Sequence, residues 1–203
     1  MRYKIHSFRH AEVILENEAG YKKVWHELLE VIADIQDDEI ILYFESASRK
    51  AKSLSEAINN LLKEKLVKLG WNEESLIFQD DEYSGNRWRL DFAKDNISLE
   101  VAFNHGEAIA WNLIKPVLAS ELNHVKKEID TEIAIIICAT KSLKDDGGFD
   151  GAIGEYEKFL TYLNPLRDVL TVPMVIIGLE APETFKIEHK MIEGKKQGLI
   201  IKR

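Results

Sequence analysis

With 203 residues, 45% hydrophobic and 31% charged, the chain has an ordinary globular composition, enough for one domain over residues 1–203 with a substantial core. Its formal charge of −8 excludes a protein that coats nucleic acid by non-specific phosphate neutralisation, yet leaves room for specific binding in a locally basic cleft. A lone cysteine, Cys138, excludes an internal disulfide, and no stretch reaches the length of a membrane span or a signal peptide, so the expected location is cytoplasmic.

In chain order, Val24, Trp25, Leu28, Leu29, Ile32 and Ile35 form one stripe, predicting a helix over Tyr21–Gln36. The short apolar run Ile40–Phe44 reads as a buried strand. Ser53-Leu54-Ser55-Glu56 has the form of a capping box and opens a helix burying Leu54, Ile58, Leu61, Leu62, Leu66 and Leu69, with Gly70 at its C′ position. Gln79–Gly85 reads as an acidic loop. Glu107–Lys127 is helical by period, with Pro116 expected to kink or restart it. The β-branched run Ile133–Ala139 predicts a strand covered on both faces. A loop over Lys141–Gly154 leads to a helix burying Tyr156, Phe159, Leu160 and Leu163, then to a second buried strand, Val172–Leu179. The tail Phe185–Lys202 forms a hairpin around Gly194. This order predicts an α/β (α+β) fold, a mixed central β-sheet with helices on both faces.

The chemistry concentrates between Asn86 and His105. Two alternating segments flank Asp95-Asn96, a pair that tolerates positive φ and suits a two-residue hairpin turn. Trp88, Leu90 and Phe92 share one face of the first strand, with Arg87, Arg89 and Asp91 opposite. In the second, Ile97, Leu99, Val101 and Phe103 oppose Ser98, Glu100, Ala102 and Asn104. The turn sets Lys94 against Ile97 and Asp91 against Glu100. Directly opposed residues have Cβ atoms only about 4.5–5.5 Å apart, where like charges repel. A hard divalent cation is one way to reconcile such a pair. Two solvated acids on an edge hairpin, offset by Arg87 and Arg89, are another, and on spacing alone the commoner one. Basic clusters at Arg49-Lys50-Ala51-Lys52, at Lys63, Lys65 and Lys68, and at the C-terminus offer a cleft lining or a solvated face.

Several separated segments resemble the BglII and BstYI group of type II restriction endonucleases, within the PD-(D/E)XK nuclease superfamily. They are Phe8–Leu15 with its His-Ala-acid run, Leu62–Val67 followed by Gly70-Trp71, and Leu90-Asp91-Phe92-Ala93-Lys94 with Leu99-Glu100-Val101-Ala102-Phe103. The later strands Ala134–Ile137 and Val172–Leu179 resemble the group's core strands. The resemblance implies that Asp91 and Glu100 bind metal with the Val101 carbonyl, and that Glu74 stands near the scissile phosphate. It implies hydrolysis of duplex DNA at a short palindrome, GATC-centred in close relatives, with Mg²⁺ as cofactor and Mn²⁺ able to substitute. It further implies a homodimer and a cognate DNA methyltransferase that forms no stable complex with it. By position, Asn104 and His105, and Lys144, Asp145 and Asp146 in the Lys141–Phe149 loop, fall where relatives contact DNA; an acidic solvated loop explains the last group as well.

One departure stands out. The superfamily carries Lys, and close relatives Gln or Glu, where this chain has Ala102, which cannot position a water; Asn104 or Glu74 is then the substitute. The alternatives are a nuclease-derived protein that binds specific DNA without cutting, and a dimeric interaction protein with no nucleic-acid role.

Overall fold

The structure is a computed structural model that describes residues 1–46, 51–83, 85–120 and 130–203. Arg49 and Lys50 of the first basic cluster, Ser84, and the part of the expected helix between 121 and 127 lie outside the described residues. The described chain runs β1 (Tyr3–Phe8), α1 (Ala11–Asn17), α2 (Ala19–Asp34), α3 (Asp37–Ser46), α4 (Ser55–Lys68), β2 (Asn72–Leu76), β3 (Arg89–Lys94), β4 (Ile97–Val101) and α5 (Ile109–Ser120). It continues through β5 (Ile133–Ala139), α6 (Lys141–Asp146), α7 (Tyr156–Leu163), β6 (Met174–Leu179), β7 (Phe185–Ile192) and β8 (Lys195–Lys202).

Six strands form one mixed sheet in the order β1-β6-β5-β4-β3-β2. β4, β5 and β6 are parallel, whereas β1, β3 and β2 join antiparallel. Every residue of β5 and β6 is buried, as β-branched runs covered by helices on both faces should be. One face packs under α1, α2, α3 and α4 through Trp25, Leu28, Ile32, Ile58 and Leu62; the other packs under α5 and α7 through Leu113, Val117 and Phe159. β7 and β8 form a separate hairpin with its turn at Glu193-Gly194, both at positive φ. Among the described residues, no helix is long and apolar enough to cross a membrane.

The mixed sheet, both core strands and the C-terminal hairpin agree with the sequence. The expected strand at Ile40–Phe44 is instead the middle of α3. Asp37, Asp38 and Glu39 occupy that helix's first turn, where carboxylates favour the N-terminus, and Ile40 and Phe44 bury one face at i, i+4 spacing while Leu42 is 66% exposed. A five-residue apolar run cannot by itself distinguish the two periods. The capping box does not form: Leu54 holds the N-cap position of α4, and the Ser53 and Ser55 hydroxyls pair with each other at 3.0 Å. Gly70 does follow the helix at φ +84°. Lys141–Asp146 is helix rather than loop, because the buried Thr140 hydroxyl caps it by accepting from the Leu143 amide. α5 passes through Pro116 without ending.

Gly178, in β6, lies under the Tyr156 ring of α7: a β-carbon there would stand 2.6 Å from Tyr156 Cδ2 and 2.9 Å from Thr140 Cγ2. Gly178→Ala must push α7 off the sheet, so a loss of about 1–3 kcal/mol is expected in urea unfolding. Parent stability in that variant would contradict this packing.

Candidate active site

The turn between β3 and β4 has Asp95 at φ 45° and Asn96 at φ 61°, the pair of left-handed residues that a two-residue type I′ connection requires. It sets the pairing Lys94↔Ile97, Ala93↔Ser98 and Phe92↔Leu99, as expected from the sequence. The ladder ends there, one position short of Asp91 and Glu100. On the other side of β3, the β2 pairing joins Glu73 to Phe92 and Ser75 to Leu90 but omits Glu74, which sits at φ 51°. Asp91 therefore stands where the backbone ladder is interrupted on both sides. Its carboxylate takes over part of the lost pairing: Oδ2 accepts the Val101 amide at 2.7 Å.

The first strand is shorter than its alternation suggests, because Asn86–Trp88 forms a 3₁₀ turn and β3 begins at Arg89. Nor do Trp88, Leu90 and Phe92 share one face. Leu90 joins Trp88, Ile77, Phe78 and Tyr83 in a small cluster under α5, while Phe92 enters the main core on the opposite face. The chain changes sides at Asp91, where the ladder breaks.

Glu100 is 2% exposed and faces α5, whose Lys115, itself 8% exposed, makes an ion pair with Glu100 Oε2. Lys115 Nζ also donates to the Arg89 carbonyl at 3.2 Å. Glu100 Oε1 is buried without a hydrogen-bond partner among the described residues. Burial, followed by the neighbouring Asp91 charge, pushes the Glu100 carboxyl up to about 8, against the pull of Lys115. Burial also raises Asp91, opposed by Lys115 and by the Val101 amide. Asp91 opens with Val101, Glu73, Glu74, Asn59, Asn60 and Lys63 onto a cleft of about 240 Å³, and Glu100 lies behind it against Lys115.

Two acids, one with an orphaned oxygen, fit a hard cation such as Mg²⁺, which takes only one or two carboxylates and keeps several waters. Among the described residues no cluster of three His, Cys, Asp or Glu side chains is placed to hold a metal. A site here would therefore rest on Asp91, Glu100 and a backbone carbonyl, and would not be a dedicated protein cage.

The remaining sequence candidates are spread around this centre. Glu74 borders the cleft with an exposed side chain, and its carbonyl accepts from Arg89 Nη1 at 2.9 Å. Ala102 is 2% exposed and belongs to the apolar cluster with Ile109, Leu113 and Val117. Asn104 Oδ1 accepts from Asn112 Nδ2 at 2.9 Å, and the exposed His105 forms a β-bridge with Ile153. On α6, Lys144 pairs with Glu155 at 2.8 Å, Asp146 pairs with Arg203, and Asp145 is exposed. Lys63 is held by Glu73 at 2.5 Å, and Lys65 by Asp34 and Glu39.

The sequence reading missed Lys115. Its signal was present: it is the one charged residue between Ile109 and Ala119, a lone cation among apolar and neutral positions. Long charged side chains are almost never buried unless paired.

A six-stranded mixed sheet carrying an acidic hairpin beside a parallel core is the architecture of restriction endonucleases. A crystal structure of restriction endonuclease BglII complexed with a DNA 16-mer superimposes with a TM-score of 0.70 at 20% identity, covering both chains completely. A structure of free BglII gives 0.59 at 18% identity, again over 100% of each chain. The sequence matches the family described as restriction endonuclease BglII/BglIII over residues 3–179. No curated protein matches it significantly. The chain belongs to the BglII/BglIII restriction endonuclease family, and that membership makes it a site-specific deoxyribonuclease.

The Glu100 proton gives a test of the geometry. The folded, metal-free protein holds it up to about 8, whereas an unfolded chain releases it near 4.5. The folded state binds more protons across that interval, so this stabilising contribution is complete below about 4.5 and is lost as pH rises through about 8. In metal-free thermal melts, Glu100→Gln should therefore lose less stability than the parent over the same rise in pH. An equally steep decline in the variant would assign it to another group.

Proposed function

We propose that this chain is a Mg²⁺-dependent type II restriction endonuclease, with Mn²⁺ able to substitute, that hydrolyses duplex DNA at a short, GATC-centred palindrome. It acts as a single-domain subunit of a cytoplasmic homodimer, whose two-fold symmetry would match that of the site. A cognate DNA methyltransferase belongs to the same system without forming a stable complex. The observation that carries the reading is the placement of Asp91 and Glu100 at a deliberate break in the β-ladder, one acid on the cleft and the other buried behind it.

Asp91, Glu100 and the Val101 carbonyl would hold the ion. Bound there, a divalent cation supplies charge neutralisation at the phosphate and lowers the pKa of water. The protein's own part is positional. The Val101 amide holds one Asp91 oxygen in place, and the apolar packing of Ala102 excludes water from behind the site. Glu74 borders the same cleft as Asp91 and is the proposed helper at the scissile phosphate. Asn104, His105, Lys144, Asp145 and Asp146 are the proposed DNA contacts, with Asp145 the most available of the α6 group because its neighbours are already paired.

A second reading, DNA binding without cutting, draws on the burial of Ala102, which leaves position 102 no polar group. One experiment separates the two. Asp91→Asn retains an acceptor for the Val101 amide, so it should fold and bind duplex DNA while cleaving long mixed-sequence DNA under Mg²⁺ at less than about a hundredth of the parent rate. A parent protein that retains duplex at saturation but never nicks it under Mg²⁺ or Mn²⁺ would favour the non-cutting alternative. Cleavage surviving in Asp91→Asn would remove this hairpin from the chemistry.

A further inference from the structure

We propose that Lys115, delivered from α5, is the cationic positioning group of this site, taking the place of the polar side chain that position 102 lacks. The inference rests on the reading of Asp91 and Glu100 given above. Ala102 is sealed among Ile109, Leu113 and Val117, so its own position can present nothing to a water or a phosphate. The same helix that covers it brings in Lys115. That ammonium touches Glu100 and the carbonyl of Arg89, two residues before Asp91, and so reaches both strands of the hairpin.

Charge and stoichiometry favour an active role over simple neutralisation. Lys115 is 8% exposed among otherwise apolar or neutral helix positions, where an ammonium is tolerated only when paired. One ammonium faces two carboxyl groups, so once both acids are ionised the cluster carries a net negative charge that favours a further cation. An ammonium carries three donor protons. Among the described residues Glu100 and the Arg89 carbonyl engage two, and through them the ammonium fixes both strands of the hairpin behind the cleft. Lys115 also repels an incoming cation, so its removal should tighten divalent binding while slowing cleavage. A residue that only braced the carboxylates would do the opposite to metal affinity.

The test uses Lys115→Met, which keeps the buried stem and removes the charge. Cleavage of long mixed-sequence DNA at saturating Mg²⁺ should fall by about 10²–10⁴-fold. Mn²⁺ affinity, read by calorimetry without DNA, should be equal or tighter, and duplex retention unchanged. Cleavage at the parent rate, or a loss that tracks weakened Mn²⁺ binding, overturns the proposal. Lys115→Gln, which keeps a donor without charge, decides the matter by the same two readouts if the Met variant does not fold. Asp91→Asn run in parallel separates the layers: cutting that persists there removes the underlying reading, whereas an inactive Asp91→Asn beside a parent-rate Lys115→Met overturns Lys115 alone.

Discussion

Two consecutive left-handed residues, Asp95 and Asn96, determine which side chains of β3 and β4 meet, and the site depends on that registration. A strand pair with a two-residue period has no tolerance for slippage: moving by one position would turn Ile97 and Leu99 toward α5 and drive Ser98 and Glu100 into the main core. Short polar residues that accept positive φ make the turn, and the buried faces on either side lock the outcome. The acids are brought together by backbone geometry before any electrostatic term acts on them. Burial then raises both, and a single ammonium from α5 offsets part of the repulsion.

Much of this was legible in the sequence because it is local. The hairpin register follows from counting outward from Asp95-Asn96, and β5 and β6 follow from apolar β-branched runs too uniform to have a wet face. The two acids were visible as a pair for the same reason. What could not be read was contact across distance or competition between local patterns. Lys115 meets Glu100 only because α5 lies across the sheet, and no spacing rule links a helix position to a strand position fifteen residues earlier. The five apolar residues of Ile40–Phe44 suit either period, and Asp37, Asp38 and Glu39 before them are the helix-start signal that separates the two. The Ser53–Glu56 pattern met a cap in sequence, yet Leu54 is drawn into the core and the helix starts one position later than the serine would have it. β1 and β2 carry weak patterns because each lies at an edge of the sheet and few of their residues are buried.

The surroundings of the site show how the charge of −8 is compatible with a nucleic-acid substrate. Lys63, on the cleft, is already engaged by Glu73, Lys115 behind it by Glu100, and on α6 Lys144 by Glu155. The exposed Lys63–Glu73 pair contributes little to stability, typically about 0–1 kcal/mol, so its partners can be exchanged at small cost. A phosphate entering the cleft can compete for Lys63 without dismantling any core element. The buried Lys115 pair is different, since separating it exposes a desolvated carboxylate.

Glu74 combines three properties described separately: it lies on the outermost strand, its backbone is left-handed, and it is followed and preceded by exposed or polar neighbours. Outer strands offer an unpaired row of donors and acceptors on which a second polypeptide can grow. A left-handed, negatively charged residue in the middle of that row spoils it as a template. The irregularity that frees Asp91 from its neighbour thus also makes this edge a poor template for a further strand.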